Sequence, residues 1–265
     1  MIKLSFEDRL QIKEKNFDYF NVHHFDFSCG SFYVKKCSLG DSFMELFAKK
    51  VFDIVGIICA NYYLLNDNFI ISEDLKKLDN FLYITNLRGI KLRNVTLDMV
   101  RDSLTEIVCN KEDIKLQLNI MHFIDILFSN TDRHTKNYGI TIDNNGNGFL
   151  VVFDNALFLN YFNSITKPMS CCFYNCSFVK IRECNHFIGN LSELHKKYIY
   201  EIFCRFNPET VIALINNVER EHNIKLQNKG KILRQYTKNY FMINSILRKH
   251  INSEIRKDIR LSKSI

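Results

Sequence analysis

The chain has 265 residues, a formal charge of +7 and 46% hydrophobic residues, enough apolar material for one large domain or two small lobes. Two prolines and nine glycines exclude a collagen-like or Pro/Gly-rich disordered composition. No apolar run approaches the roughly 18 residues of a membrane span. The opening MIKLSFEDRLQIKEK lacks the apolar segment of a signal peptide. The nine cysteines are odd in number and scattered, which suits reduced thiols in a cytosol better than a disulfide framework.

The first forty residues read as strand-rich. FDYFNVHHFDFS and SFYVKKC are aromatic and β-branched runs on either side of CGS at Gly30, the pattern of a hairpin. In LGDSFMELFAKKVFDIVGI, residues Phe43, Leu46, Phe47, Val51, Ile54 and Val55 recur at helical spacing. Asp41 or Ser42 caps that helix and Gly56 ends it. CANYYLL and FIIS pair across the turn NDN. From Leu75 onward helix dominates, above all in IKLQLNIMHFIDILF. A second hairpin follows, YGITI and GFLVVFD, joined by NNGNG, whose residues tolerate positive φ. The last eighty residues are mostly helical, with NPETVIALINNV starting on an Asn-Pro cap. The expected architecture is α+β in two lobes, a small β-rich lobe over 1–74 and a larger, mostly helical lobe over 75–265.

Charge is uneven along the chain. Residues 223–265 carry +9, which leaves −2 on the remainder. A basic tail of this kind can meet nucleic acid, a membrane or an acidic partner. No nucleic-acid motif accompanies it, so it reads as the solvated face of helices such as NSILRKHINSEIRKDIRL.

The chemistry concentrates in SNTDRHTKNYGITIDNNGNGFLVVFDNALFL. Asp132 and Asn137 stand five positions apart, the D-x-x-x-x-N spacing in which the Asp accepts the proton of an attacking hydroxyl and the Asn oxygen coordinates Mg²⁺. The hairpin then folds the chain back, so that Asp154 returns beside Asn137 and the two can share a magnesium ion. His134 either handles phosphate charge or hydrogen-bonds the loop, and Arg133 either contacts phosphate or, the favoured expectation, pairs with a surface acid. Cys171, Cys172, Cys176, Cys184 and His186 are too loosely spaced for a zinc site.

Asp125, Asn130, Asp132, Arg133, His134, Asn137, Gly139, Phe153, Asp154 and Leu157 or Leu159 together resemble the motifs of the HipA-like kinase family. Within it the likeness is to the short, stand-alone CtkA-type members. A more distant similarity is to phosphoinositide 3- and 4-kinases, which also carry a DRH-x-x-N loop. The resemblance is strong over 119–159 and looser over 31–56. It implies a bilobal protein-kinase-like fold and an ATP- and Mg²⁺-dependent Ser/Thr protein kinase. Carried over by position, Asp132 is the base, His134 its active-site neighbour, and Asn137 and Asp154 the metal ligands. SFYVKKC is similar to the family strand that ends in a nucleotide-binding Lys, so Lys35 meets the ATP phosphates. Lys36, on the opposite strand face, is the alternative. GDSFMELFA is similar to the following helix, in which Glu45 pairs with that Lys. On a helical wheel Glu45 lies opposite the main apolar stripe, so it is either solvated or on a helix with two buried faces.

Two departures stand out. Ala156 replaces a glycine common after the second motif. No Gly-rich phosphate loop precedes Lys35, so the phosphate cover is either the CGS turn or absent. The expected partners are a Ser/Thr protein substrate and an antitoxin or other regulator. Ser164, Thr166, Ser170 and Ser177 are placed for autophosphorylation. The expected role is a cytoplasmic toxin or effector, with specialised secretion also open. Two alternatives are a small-molecule or lipid-headgroup kinase and a nucleotide-binding pseudokinase.

Overall fold

The computed structural model describes residues 4–15, 22–66, 69–78, 80–87, 90, 95–130, 133–159 and 181–251. Asp132, the candidate phosphorylation sites between Ser164 and Ser177, and Cys171, Cys172 and Cys176 lie outside them.

The first element is a helix that the strand-rich reading of the opening residues did not include, α1 (Phe6–Glu14). Ser5 and Asp8 form its capping box, which satisfies two of the backbone N–H groups a helix start leaves unpaired. The first hairpin follows as β1 (Val22–Phe27) and β2 (Gly30–Lys36). β4 (Tyr62–Asn66) and β5 (Phe69–Glu73) complete an antiparallel sheet in the order β1-β2-β5-β4. Strand alternation gives this sheet two different faces. Phe27, Phe32, Val34 and Ile71 point to one side, where Leu4 and Ile12 close a small separate core over them. Tyr33, Lys35, Ile70 and Ser72 point to the other, into a cleft.

Between β2 and β4 runs α2 (Leu39–Val55). Its cap is Ser38, not Asp41 or Ser42; Asp41 is the third helical residue and bonds back to the Ser38 backbone. Gly56 ends the helix with φ +72°, a conformation that strains any side-chain-bearing residue. The helix packs against β4 on one side. On the other, Phe47 meets Phe128 at 5.7 Å and Phe52 meets Phe158 at 5.8 Å, inside the main core. Arg205 also donates to the Ile54 carbonyl and Lys50 pairs with Glu221, at 3.1 and 2.6 Å. The helix therefore has two buried faces.

The chain then adds a second sheet. β3 (Ile58–Cys59) pairs in parallel with β8 (Gly148–Val152), β8 with β7 (Tyr138–Ile142), and β7 with β6 (Leu82–Tyr83). The stretch after Leu75, expected to be helical, instead holds two short 3-10 turns and β6. Helix resumes at α3 (Leu97–Ile107) and α4 (Lys111–Leu127). α4 packs on β8 and ends against an aromatic cluster in which Phe128 touches Phe158, Phe206 and Tyr236 at ring separations of 5.2, 5.3 and 5.3 Å.

The C-terminal helices are α5 (Ile181–Gly189), α6 (Glu193–Arg205), α7 (Pro208–His222) and α8 (Lys229–His250). Asn207 caps α7 and Pro208 opens it. None of the described helices is long and apolar enough to cross a membrane.

Candidate active site

A cleft of about 220 Å³ lies between the two sheets, lined by Lys35 and Glu45 from above and by Lys136, Asn137, Phe153 and Asp154 from below. Val22, Tyr33, Ile70, Leu75 and Tyr83 supply an apolar and aromatic slot beside them. Four of the six residues singled out in the sequence thus converge on one cavity.

Lys35 projects from β2 on the face opposite the buried Phe32 and Val34. Its Nζ lies 2.7 Å from Asp154 Oδ1 and 3.7 Å from Glu45 Oε1. Burial works to lower the Lys35 pKa, but the charges of Glu45 and Asp154 outweigh it and hold the pKa above its ordinary value. Glu45 is only 2% exposed, which resolves the ambiguity of the helical wheel. Burial and the nearby Asp154 charge push its pKa up to about 7, against the opposing pull of Lys35, the Asn155 N–H and the Tyr62 hydroxyl.

Asp154 follows β8 in the left-handed region, at φ +51°, which costs a non-glycine residue about 1–2 kcal/mol. Hydrogen bonds hold the backbone there. The Asp154 N–H donates to the Tyr62 hydroxyl at 2.8 Å, and its carbonyl accepts from Asn137 Nδ2 at 3.4 Å. The next N–H, that of Asn155, donates to Glu45 Oε2 at 2.6 Å. Since the Tyr62 oxygen accepts from Asp154, its own proton is available to Glu45.

Arg133 does not pair with a surface acid. It is 3% exposed, and its partner is Asp125 on α4, itself 5% exposed. Nε and Nη2 bond the two Asp125 oxygens at 3.0 and 3.1 Å, and Asn130 Nδ2 adds a third bond at 2.7 Å. Burial raises the Asp125 pKa against the pull of this guanidinium. Arg133 also donates to the Asn137 and Phe153 carbonyls at 3.0 and 3.4 Å and to Asn155 Oδ1 at 2.6 Å. Its plane lies over the Phe52 ring, 5.6 Å from the centroid. One buried side chain therefore fixes both segments that carry the candidate metal ligands.

His134 Nδ1 accepts the Lys136 N–H at 3.2 Å, which places the proton of the neutral ring on Nε2. The bond braces the loop. Asn137 is 2% exposed, and its carbonyl also receives the Phe153 N–H at 3.1 Å.

The CGS turn does not cover this site. Val22 pairs with Lys35 and Phe27 with Gly30, so the turn lies at the far end of β2, about 17 Å of strand from Lys35 at ~3.3 Å per residue. It is fastened there by Asp8, whose carboxylate accepts the Ser28 N–H and hydroxyl at 3.1 and 2.9 Å. On its other side Ser31 accepts the Asp74 N–H at 3.2 Å.

Asp154 and Asn137, both residues with side-chain oxygens, line the cleft, whose volume leaves room for phosphate oxygens and water. That fits Mg²⁺, which binds few protein oxygens and completes its shell with substrate. The described residues contain no group of three or more His, Cys, Asp or Glu able to hold a metal, so this would be a shared, not an all-protein, coordination. Tyr62 and Asn155 were not found in the sequence. Asn155 adjoins a motif residue, whereas nothing local marks Tyr62.

Two sheets flanking a cleft, a strand Lys paired with a helix Glu, and a hairpin ending in an Asp define a bilobal kinase-like fold. Solved structures share it. The Helicobacter pylori proinflammatory kinase CtkA superposes with a TM-score of 0.59 over 94% of this chain and 94% of its own, at 14% identity. Shewanella oneidensis MR-1 HipA, solved with HipB and operator DNA, gives a TM-score of 0.52 at 12% identity. That match covers 86% of this chain and 61% of HipA, so the chain spans less than two thirds of HipA's length. No protein-family model and no curated protein matches the sequence.

Proposed function

We propose that the protein is an ATP- and Mg²⁺-dependent kinase that transfers the γ-phosphoryl group to a Ser or Thr hydroxyl of a protein. The observation that carries this reading is the convergence of Lys35, Glu45, Asn137 and Asp154 on one cleft. Each has a side chain suited to one part of the transfer. Lys35, held by Glu45, is the cation for the nucleotide phosphates. Asn137 and Asp154 would hold Mg²⁺, which supplies charge neutralisation of the phosphoryl oxygens. The apolar slot of Val22, Ile70, Leu75 and Phe153 suits a purine ring. Asp132, by its place in DRHTKN, is assigned as the base that accepts the hydroxyl proton. His134 braces the loop that follows it.

The protein substrate and the site of action, in the cytoplasm or after specialised export, follow from the sequence resemblance, and the toxin or effector role is supported by analogy with the toxin–antitoxin protein HipA and the proinflammatory kinase CtkA. HipA was solved with HipB, which supports a regulatory partner for this chain as well.

Incubation with ATP and Mg²⁺, followed by intact mass measurement and by radiolabel tracing into added protein or extracted metabolites, tests the reading. Wild type should add phosphate to itself or to a protein, and Asp132→Asn should lose about 10²–10⁴ in rate. Label appearing only in a small molecule would replace the protein substrate. No transfer at all, with Asp132→Asn indistinguishable from wild type, would leave a nucleotide-binding module.

A further inference from the structure

Lys35 stands unevenly between its two acids. It is 2.7 Å from Asp154 Oδ1 and 3.7 Å from Glu45 Oε1, so among the described residues its short, hydrogen-bonded contact is with the carboxylate assigned to the metal, not with its helix partner. The two acids also differ in freedom. Glu45 is fully enclosed and its other oxygen is taken by the Asn155 N–H. The Asp154 side chain is 41% exposed to the cleft, while that of Lys35 is 13% exposed. An ammonium and a divalent cation on one carboxylate repel each other, which weakens metal binding there. A metal entering alone would have to displace Lys35 from Asp154 or bind beside its positive charge, 2.7 Å from the same carboxylate.

A nucleotide removes this obstacle. Its phosphates bring several negative charges and offer Lys35 a new partner, which releases Asp154. The same phosphates supply the oxygens that two protein ligands cannot. We propose that Lys35 occupies the metal ligand Asp154 in the ligand-free protein and hands it over only when a nucleoside di- or triphosphate arrives, so that nucleotide and divalent cation bind as a coupled pair. The proposal rests on the assignment of the cleft as a metal–nucleotide site and adds its regulation. By linkage, the factor by which nucleotide tightens metal equals that by which metal tightens nucleotide.

A sparse ligand set alone would also make metal binding weak, but only a competing cation predicts that its removal strengthens metal binding. The test is Mn²⁺ affinity without nucleotide, measured by electron paramagnetic resonance, for wild type, Lys35→Met, Lys35→Arg and Lys35→Met/Asp154→Ala. Far-UV circular dichroism checks folding. Lys35→Met should bind Mn²⁺ about tenfold or more tightly than wild type, a shift within the usual span of coupling between sites. Lys35→Arg keeps the cation and should stay near wild type, and the double variant should lose the gain. Added ADP should tighten Mn²⁺ on wild type by a similar factor and on Lys35→Met by much less.

A folded Lys35→Met protein with unchanged or weaker Mn²⁺ affinity overturns the proposal, as does a gain that survives loss of Asp154. If wild type binds Mn²⁺ with ADP but Lys35→Met shows no gain, this inference falls alone. If wild type binds no Mn²⁺ even with ADP, the phosphotransfer reading falls with it.

Discussion

Replacing Arg133 by Met keeps most of the side-chain volume and removes the charge. The structure sets the consequences. Asp125, 5% exposed, would lose both guanidinium bonds and keep Asn130 as its remaining side-chain partner in this network. An uncompensated buried charge of this kind costs about 3–5 kcal/mol. Asn155 Oδ1 would lose its 2.6 Å donor, for a further ~1–3 kcal/mol, partly recovered if Asp125 takes up a proton. The expected net loss of about 3–5 kcal/mol is a large share of the ~5–15 kcal/mol of a typical domain. At ~2–4 °C per kcal/mol for a chain of this size class it lowers Tm by about 10 °C. The chain contains no Trp, so urea unfolding is best followed by far-UV circular dichroism. Asp125→Asn in the same chain removes the stranded charge, and the double variant should be more stable than the sum of the single losses allows, by over ~1 kcal/mol. Arg133→Met within about 1 kcal/mol of wild type, or strictly additive losses, would refute the reasoning.

Three further outcomes follow from the same geometry. Tyr62→Phe strands the Asp154 N–H, which should cost about 1–3 kcal/mol and weaken Mn²⁺–ADP binding in the same titrations. Gly139→Ala would set a Cβ 2.6 Å from the Leu82 carbonyl oxygen, where Gly148→Ala meets the side chains of Val108 and Ile140; backbone yields less than side chains, so thermal melting should rank Gly139→Ala as the worse. Buried His122 has its pKa lowered by burial to about 3, so the unfolded chain takes up its proton first. Stability should therefore fall as pH drops from about 6.5 toward 3, by up to about 1.4 kcal/mol per pH unit, and His122→Phe should flatten that limb in urea titrations. Glu45, raised to about 7, acts in the opposite sense. The folded state keeps its proton longer, so its contribution declines as pH rises from about 4.5 to 7, and Glu45→Gln should remove that slope.

Much of the site was legible because its signals are local. The D-x-x-x-x-N spacing, the NNGNG turn and strand alternation place Asn137, Asp154 and Lys35 without tertiary information. Glu45 was ambiguous on a wheel, since the answer depends on α2 being wedged between β4 and the Phe128 cluster. The Arg133 partner is hidden for the same reason: the sequence cannot show that Asp125, eight residues earlier, is buried on α4. The two-residue strands β3 and β6 exist only because β8 and β7 lie beside them, and periodicity cannot reveal so short a pairing. α1 is weakly marked in the sequence although Ser5-x-x-Asp8 is a capping signal: among the described side chains, its segment gives only Leu4 and Ile12 to a core.

Calorimetric titration of ATP into wild type and Asp154→Ala, each with and without Mg²⁺, bears most directly on the claim that these side chains form a phosphotransfer site. The account predicts binding to wild type that depends on Mg²⁺ and disappears in Asp154→Ala. Equal, metal-dependent binding by both proteins would contradict it.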